Sequence, residues 1–234
     1  MKIITIVGAR PQFIKAAPVS RAIRDHNEKG EDHRLTEVLV HTGQHYDHGM
    51  SQVFFDELGL AEPELNLEPK TYLLTTIHRP YNTDLPDNLR NILAAFAEIG
   101  EVIVFPVHPR TRKKIAELCK KLDLDKVLRN TKMIEPVGYL DMLVLEENAR
   151  MILTDSGGMQ KEAYFFGVPC ITLRPETEWV ETVETGWNVV AGADTLAIVD
   201  GYQRAFNSPP ASRPNLYGYG TASLEVVRHM VEGF

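Results

Sequence analysis

The stretch Met151–Pro169, MILTDSGGMQKEAYFFGVP, constrains this chain most strongly. Its apolar start predicts a buried strand (Met151, Ile152, Leu153), its polar middle a turn (Thr154 to Gly158), and its remainder a helix from about Met159. A strand that ends in a Gly-rich turn and opens a helix gathers free backbone N–H groups and the positive end of a helix at one point. That point suits a phosphate. Gly157 and Gly158 let an anion approach the backbone because no Cβ stands there. Ser156 adds a hydroxyl donor, and Glu162, one turn on, offers a carboxylate to a ribose diol. The plainer alternative is a strand-to-helix turn that binds nothing, since many α/β turns share this pattern.

Strand-and-helix alternation runs along the rest of the chain. Lys2–Val7 and Leu35–His41 read as strands, with a helix from Pro11 to Asp25 between them. A short amphipathic helix is expected over Gly49–Leu58. Glu62–Pro69, with two prolines and acidic spacers, reads as a boundary. It divides residues 1–68 from 69–234. Strands follow at Tyr72–Thr76, Glu101–Phe105, Met133–Ile134, Pro169–Leu173 and Trp187–Val190, separated by helical patterns, and a last helix spans Ser223–Val231. The fold class is therefore α/β, a doubly wound parallel sheet with helices on both faces.

In such a sheet the residues that follow the strands share one edge, where ligands bind. His78, His108, Ser156 and Arg174 all occupy such positions, and together they describe an anion site fit for a diphosphate. Arg10 follows the first strand and Lys15 lies one turn further along its helix. Cations at a helix N-terminus oppose the dipole, which points to an anionic partner, unless both are simply solvated.

The 234 residues, 44% hydrophobic and 24% charged, describe a globular chain, and a net charge of −7 argues against a general nucleic-acid binder. Cys119 and Cys170 lie far apart and imply neither disulfide framework nor zinc spacing. His45 and His48 form a loop pair without a third evident ligand, so no metal is expected. No apolar run is long enough to span a membrane, and the chain opens in a strand rather than a signal peptide, so a cytoplasmic location is expected. Ser156 lacks the G-x-S-x-G context of a hydrolase nucleophile, and no G-x-G-x-x-G occurs.

The segments VGARPQFIKAAPV, HTGQHYD, TIHRPYNTD, PVHPRTR, LTDSGGMQKEA and GVPCITLRPETEWVETVETGWNVV, with the terminal YGYG, resemble in order the non-hydrolysing UDP-N-acetylglucosamine 2-epimerases. The resemblance implies Rossmann-like lobes of GT-B type, with residues 69–234 as the second lobe. It also implies conversion of UDP-GlcNAc to UDP-ManNAc by elimination and re-addition of UDP, with no cofactor. On this resemblance Ser156, Gly157, Gly158 and Glu162 hold the diphosphate and ribose, while Arg10, Lys15 and His78 face the phosphates and the departing UDP. His78 is then the catalytic candidate, and Arg174 joins the substrate-binding set. Residues Val137 to Met142 would cover the uracil, and Gln44 and His108 resemble residues that hold a second, regulatory UDP-GlcNAc.

The pattern departs from the family in the first lobe. It passes from HTGQHYDHGMSQVFFDELGL almost directly to TYLLTTIHR, leaving a two-strand remnant in residues 1–68. The family segments that carry the carboxylates acting at C2 have no counterpart, so catalysis is expected to be impaired. A shortened or engineered chain, serving as a UDP-binding or structural scaffold without turnover, is the alternative. A GT-B-like glycosyltransferase is a third reading. Docking of the remnant on the second lobe, or a homodimer exchanging it, would cover its exposed edges.

Overall fold

The structure, a computed structural model, describes residues 2–7, 10–29, 34–41, 69–119 and 128–232. The chain forms two compact units, one of Met1–Asp56 with Asn215–Phe234 and the other of Glu57–Pro214. The sequence reading placed the last helix with residues 69–214; here it groups with the N-terminal segment. An amphipathic helix carries no sign of which element its apolar face will meet, so its grouping is not legible from its own residues. The expected helix at 49–58 and the proline-bounded stretch as far as residue 68 lie outside the described residues.

In the first unit β1 (Lys2–Val7) and β2 (Thr36–His41) pair in parallel, from Lys2 opposite Thr36 to Val7 opposite His41. Helix α1 (Arg10–Glu28) supplies the crossover between them. The Asn27 side chain fixes the return: its Nδ2 donates to Leu35 O (2.8 Å) and its Oδ1 accepts from Leu35 N (2.9 Å). Ala22, Ile23 and Leu35 bury themselves with Val227 of the C-terminal helix, with Val19 and Val231 packed around them.

The second unit carries a six-stranded, wholly parallel sheet. Its strands are β3 (Leu73–Thr76), β4 (Ile103–Pro106), β5 (Thr131–Ile134), β6 (Met151–Thr154), β7 (Cys170–Thr172) and β8 (Asn188–Val190), in the order β5-β4-β3-β6-β7-β8. The chain winds outward from β3 to β5, returns to lay β6 against β3, and winds outward the other way. The reversal between β3 and β6 is a topological switch point, and its crevice opens at the carboxyl ends of those strands.

Alternation within the strands feeds two apolar layers. Leu73, Ile103, Phe105, Met151, Leu153 and Ile171 face helices α3 (Pro86–Ile99), α4 (Pro109–Cys119) and α8 (Thr195–Asn207), which contribute Leu89, Phe96, Ile115 and Ile198. Leu74, Val104, Ile152 and Cys170 face α5 (Tyr139–Asn148) and α6 (Gly157–Phe166), which contribute Met142, Met159 and Ala163. The strands β3, β4, β6 and β7 are buried throughout, which explains their unbroken apolar runs. Short helices α2 (Pro80–Thr83) and α7 (Val180–Glu184) fill the loops after β3 and β7, and α9 (Ala222–Glu232) is the last helix. No described helix is long and apolar enough to cross a membrane.

Helix α6 starts two residues earlier than its sequence suggests, with Ser156 as N-cap and both glycines inside the first turn. It ends at Gly167, whose φ of 65° is the left-handed conformation and whose N–H reaches back to Ala163 O and Tyr164 O. A Cβ at Gly167 would stand 2.9 Å from Arg213 Nη1. That guanidinium donates to Tyr164 O and Phe165 O, two of the last helical carbonyls. Gly167→Ala therefore combines backbone strain with loss of this cap. It should destabilise the protein by roughly 1–3 kcal/mol, read as a lowered urea midpoint with an unchanged slope.

Candidate functional site

The strand register sets the site. Thr76 of β3 pairs with Thr154 of β6, which pairs with Thr172 of β7, and Leu74 pairs with Val104 of β4. His78, His108, Ser156 and Arg174 each follow the last residue of their strand by two positions. Four adjacent parallel strands in one register thus deliver these residues to one rim, around the switch point, as the sequence pattern predicts.

Asp155 organises the centre of that rim. Its carboxylate is fully buried. The backbone N–H of His78 donates to both of its oxygens (3.1 and 3.0 Å), and Arg79 N (2.9 Å) and Asn82 Nδ2 (3.0 Å) donate to Oδ2. His78 Nδ1 lies 3.1 Å from Oδ1. A buried carboxylate needs such a shell of donors, and charge-assisted bonds are the strong ones. The His78 side chain is 44% exposed. Nδ1 is engaged on Asp155, and Nε2 is the ring's other polar atom. Asn82 also donates to Leu173 O (2.8 Å), so the ends of β3, β6 and β7 are held through one carboxylate and one amide.

Beside this hub lies the mouth of α6. Ser156 Oγ accepts from Met159 N at 3.5 Å, and Ser156 N donates to Thr154 Oγ1 at 2.9 Å. The Gly157 and Gly158 N–H groups have no acceptor within the helix, as in any first turn. A Cβ on Gly158 would stand 3.8 Å from Ser156 Oγ and 4.0 Å from Glu162 Oε2. The open side of Gly158 thus faces a hydroxyl and a carboxylate. Glu162 Oε1 lies 3.4 Å from the Tyr139 hydroxyl, which brings the start of α5 to the same mouth.

Arg174 closes the other side. Its Nη1 donates to Glu178 Oε1 and Oε2 (2.9 and 3.0 Å). Burial works against the Glu178 charge, but its own backbone N–H, Arg174 and Arg79 outweigh it and hold the carboxyl below its usual range. A polar network props the loop that carries both residues. Thr177 Oγ1 donates to Gln160 Oε1 (2.5 Å), and Trp179 Nε1 donates to Gly157 O (2.6 Å). Asn188 Nδ2 reaches Gln160 Oε1 (3.3 Å) and Thr182 Oγ1 (3.2 Å), and Thr172 Oγ1 donates to Asn188 Oδ1 (2.8 Å). The sequence reading missed this network. Single Gln, Asn and Thr residues scattered over four elements carry no local signal, although a glutamine inside an apolar helix is a weak one.

The structure brings His78, Ser156, Gly157, Gly158, Glu162 and Arg174 together in one unit. His108 is on the same rim, exposed, with its Nδ1 accepting from Arg110 N at 3.3 Å. Gln44 lies outside the described residues. Arg10 and Lys15 fall in the first turns of α1, in the other unit, and their side chains lie outside the described part. Among the described residues no group of three or more His, Cys, Asp or Glu is arranged to hold a metal ion. Cys170 is a buried free thiol in β7, and desolvation raises its pKa far above the ordinary value.

A switch-point crevice with a glycine-opened helix mouth defines a Rossmann-like unit of GT-B type. Residues 66–231 match the family described as UDP-N-acetylglucosamine 2-epimerase, and the chain belongs to that family. It is 33% identical to a UDP-N-acetylglucosamine 2-epimerase homolog of Methanococcus maripaludis, over 97% of this chain and 98% of the relative. That alignment runs over 361 positions, more than a third of which face no residue of this 234-residue chain. It is 42% identical to the UDP-N-acetylglucosamine 2-epimerase of Methanocaldococcus jannaschii over 69% of this chain, but spans only 45% of that relative. The crystal structure of M. jannaschii UDP-GlcNAc 2-epimerase in complex with UDP-GlcNAc and UDP superposes with a TM-score of 0.81 at 26% identity, covering 100% of each chain.

Asp155 and His78 differ in burial, and so in what each contributes to stability. Asp155→Ala strips the acceptor from several donors at once and should cost about 3–5 kcal/mol in chemical denaturation. His78→Ala, at a half-exposed ring, should stay within roughly 1 kcal/mol of the parent in the same measurement.

Proposed function

We propose that the Glu57–Pro214 unit binds the uridine diphosphate portion of a UDP-N-acetylhexosamine, and that the chain alone does not turn it over. The mouth of α6 carries this reading: Ser156, Gly157 and Gly158 open a helix N-terminus at the switch point, with Glu162 one turn in and His78 and Arg174 on either side. In this assignment the glycine N–H groups and Ser156 meet the diphosphate, Glu162 accepts from the ribose diol, and residues 137–142 cover the base. Arg174 and His78 face the phosphates. Their charge-assisted bonds strengthen as negative charge gathers on a departing diphosphate, which is how such a site would favour bond cleavage.

Epimerisation also needs proton transfer at C2 of the sugar by a group within hydrogen-bond reach. By the family resemblance those carboxylates would belong to first-lobe segments, and this sequence offers no counterpart for them. His78, clamped by Asp155, can serve the leaving group through Nε2 but offers no second group for the opposite face of C2. A homodimer and a cytoplasmic location belong to the same reading. The competing reading, retained epimerase turnover, is favoured by the M. maripaludis alignment, which reaches both ends of that relative.

Titration calorimetry should show UDP binding to the whole chain, weakened by roughly tenfold or more in Glu162→Ala through loss of bonds to the ribose. Proton NMR of UDP-GlcNAc with the protein in D₂O should show no deuterium entering C2 over many hours. Growth of a UDP-ManNAc anomeric signal would replace this reading with the enzymatic one, and absence of UDP binding would remove both.

A further inference from the structure

A carboxylate of the protein's own lies beside the helix mouth assigned to the diphosphate. A Cβ built on Gly157 would lie 3.2 Å from Glu178 Oε2 and 3.8 Å from Oε1. The carboxylate therefore lies against the first residue of α6, close enough that a side chain at Gly157 would crowd it. Both oxygens take the Arg174 guanidinium, at 2.9 and 3.0 Å. Arg174 is only 15% exposed, whereas Glu178 is 54% exposed.

Charge explains the arrangement. The open end of a helix carries a partial positive charge, and Arg174 and Arg79 add full ones near it. A carboxylate at that end is stabilised by both. The two partners differ in what holds them. Arg174 is largely enclosed at the end of β7. Glu178 belongs to the loop before α7 and can turn its carboxylate to water at the small cost of one exposed ion pair. The anchored partner is the cation and the exchangeable partner is the anion. An incoming diphosphate matches what Glu178 supplies: negative oxygens facing the Gly157 end and the Arg174 fork. Both cannot occupy the mouth, because like charges at contact distance repel strongly in a half-enclosed site.

We propose that Glu178 is an internal counter-ion for the anion site, occupying the α6 mouth in the ligand-free protein and giving up Arg174 to the diphosphate on binding. This rests on the assignment of that mouth to UDP. It makes Glu178 a residue that lowers affinity for the diphosphate and keeps Arg174 oriented until the diphosphate arrives. The loop prop formed by Thr177 on Gln160 and Trp179 on Gly157 holds the neighbouring backbone while one side chain exchanges.

The test is calorimetric titration of the full chain and of Glu178→Gln with UDP and, separately, with uridine. Glutamine keeps the size and removes the charge at an exposed position. Glu178→Gln should bind UDP about two- to fivefold more tightly, the range that an exposed ion pair allows. Its affinity for uridine, which has no phosphate to compete, should be unchanged. UDP affinity that stays the same or falls in the variant overturns the proposal and makes Glu178 a positioning partner of Arg174. Equal gains for UDP and uridine overturn it too, because the effect would then not concern the phosphate. If neither protein binds UDP, the assignment of the mouth fails and this inference falls with it.

Discussion

One buried carboxylate holds this molecule's chemistry in place. Asp155 is fully buried, so its charge is tolerable only because neighbouring elements turn donors toward it. Those donors are the backbone of His78 and Arg79 at the end of β3, and Asn82 of α2. The demand runs in both directions. The residues after β3 are fixed because their amides need an acceptor, and the carboxylate is fixed because it needs their amides. The His78 ring inherits its orientation from the same bond set, and Asn82 carries the constraint on to β7 through Leu173 O. The floor of the switch-point crevice is a connected set of hydrogen bonds for this reason.

Above that floor the electrostatics are local. The chain is acidic, at −7, yet the rim beside α6 gathers Arg79, His78, Arg174 and the positive end of a helix. A net charge says little about a crevice whose lining is chosen residue by residue. The supporting layer is polar as well: Gln160, Asn188, Thr172, Thr177 and Thr182 join helix α6 to β7, β8 and the loop before α7. Such a network is directional where an apolar contact is not, and it sets the loop's position relative to the helix mouth.

Much of this was legible beforehand. The β-branched and leucine-rich runs at Leu73, Ile103, Met151 and Cys170 are buried strands because both sheet faces are covered by helices. The position of His78, His108, Ser156 and Arg174 after strands predicts one shared rim, and the parallel register puts them there. Several features were not legible. Helix α6 takes Gly157 and Gly158 into its first turn because Ser156 caps it, although glycine is a poor helix former. Pro80 starts a short helix in what reads as a loop, since proline suits a first helical turn. The C-terminal helix joins α1 rather than the six-stranded unit, a choice made by complementary apolar faces.

The sequence by itself determined the alternation of strand and helix, the parallel sheet, the glycine-opened helix mouth and the family. Each of these depends on local residue order: periodicity, capping chemistry and motif spacing. Only the tertiary structure decided that Asp155 is the buried hub, that Glu178 lies against Gly157 with Arg174, and that Gln160 supports the loop from beneath. Apart from the Arg174–Glu178 pair, four residues apart, these are contacts between residues well separated in the chain. Their existence depends on strand order and register, which no local pattern encodes, and on the rule that a buried polar group must find its partner wherever the fold places one.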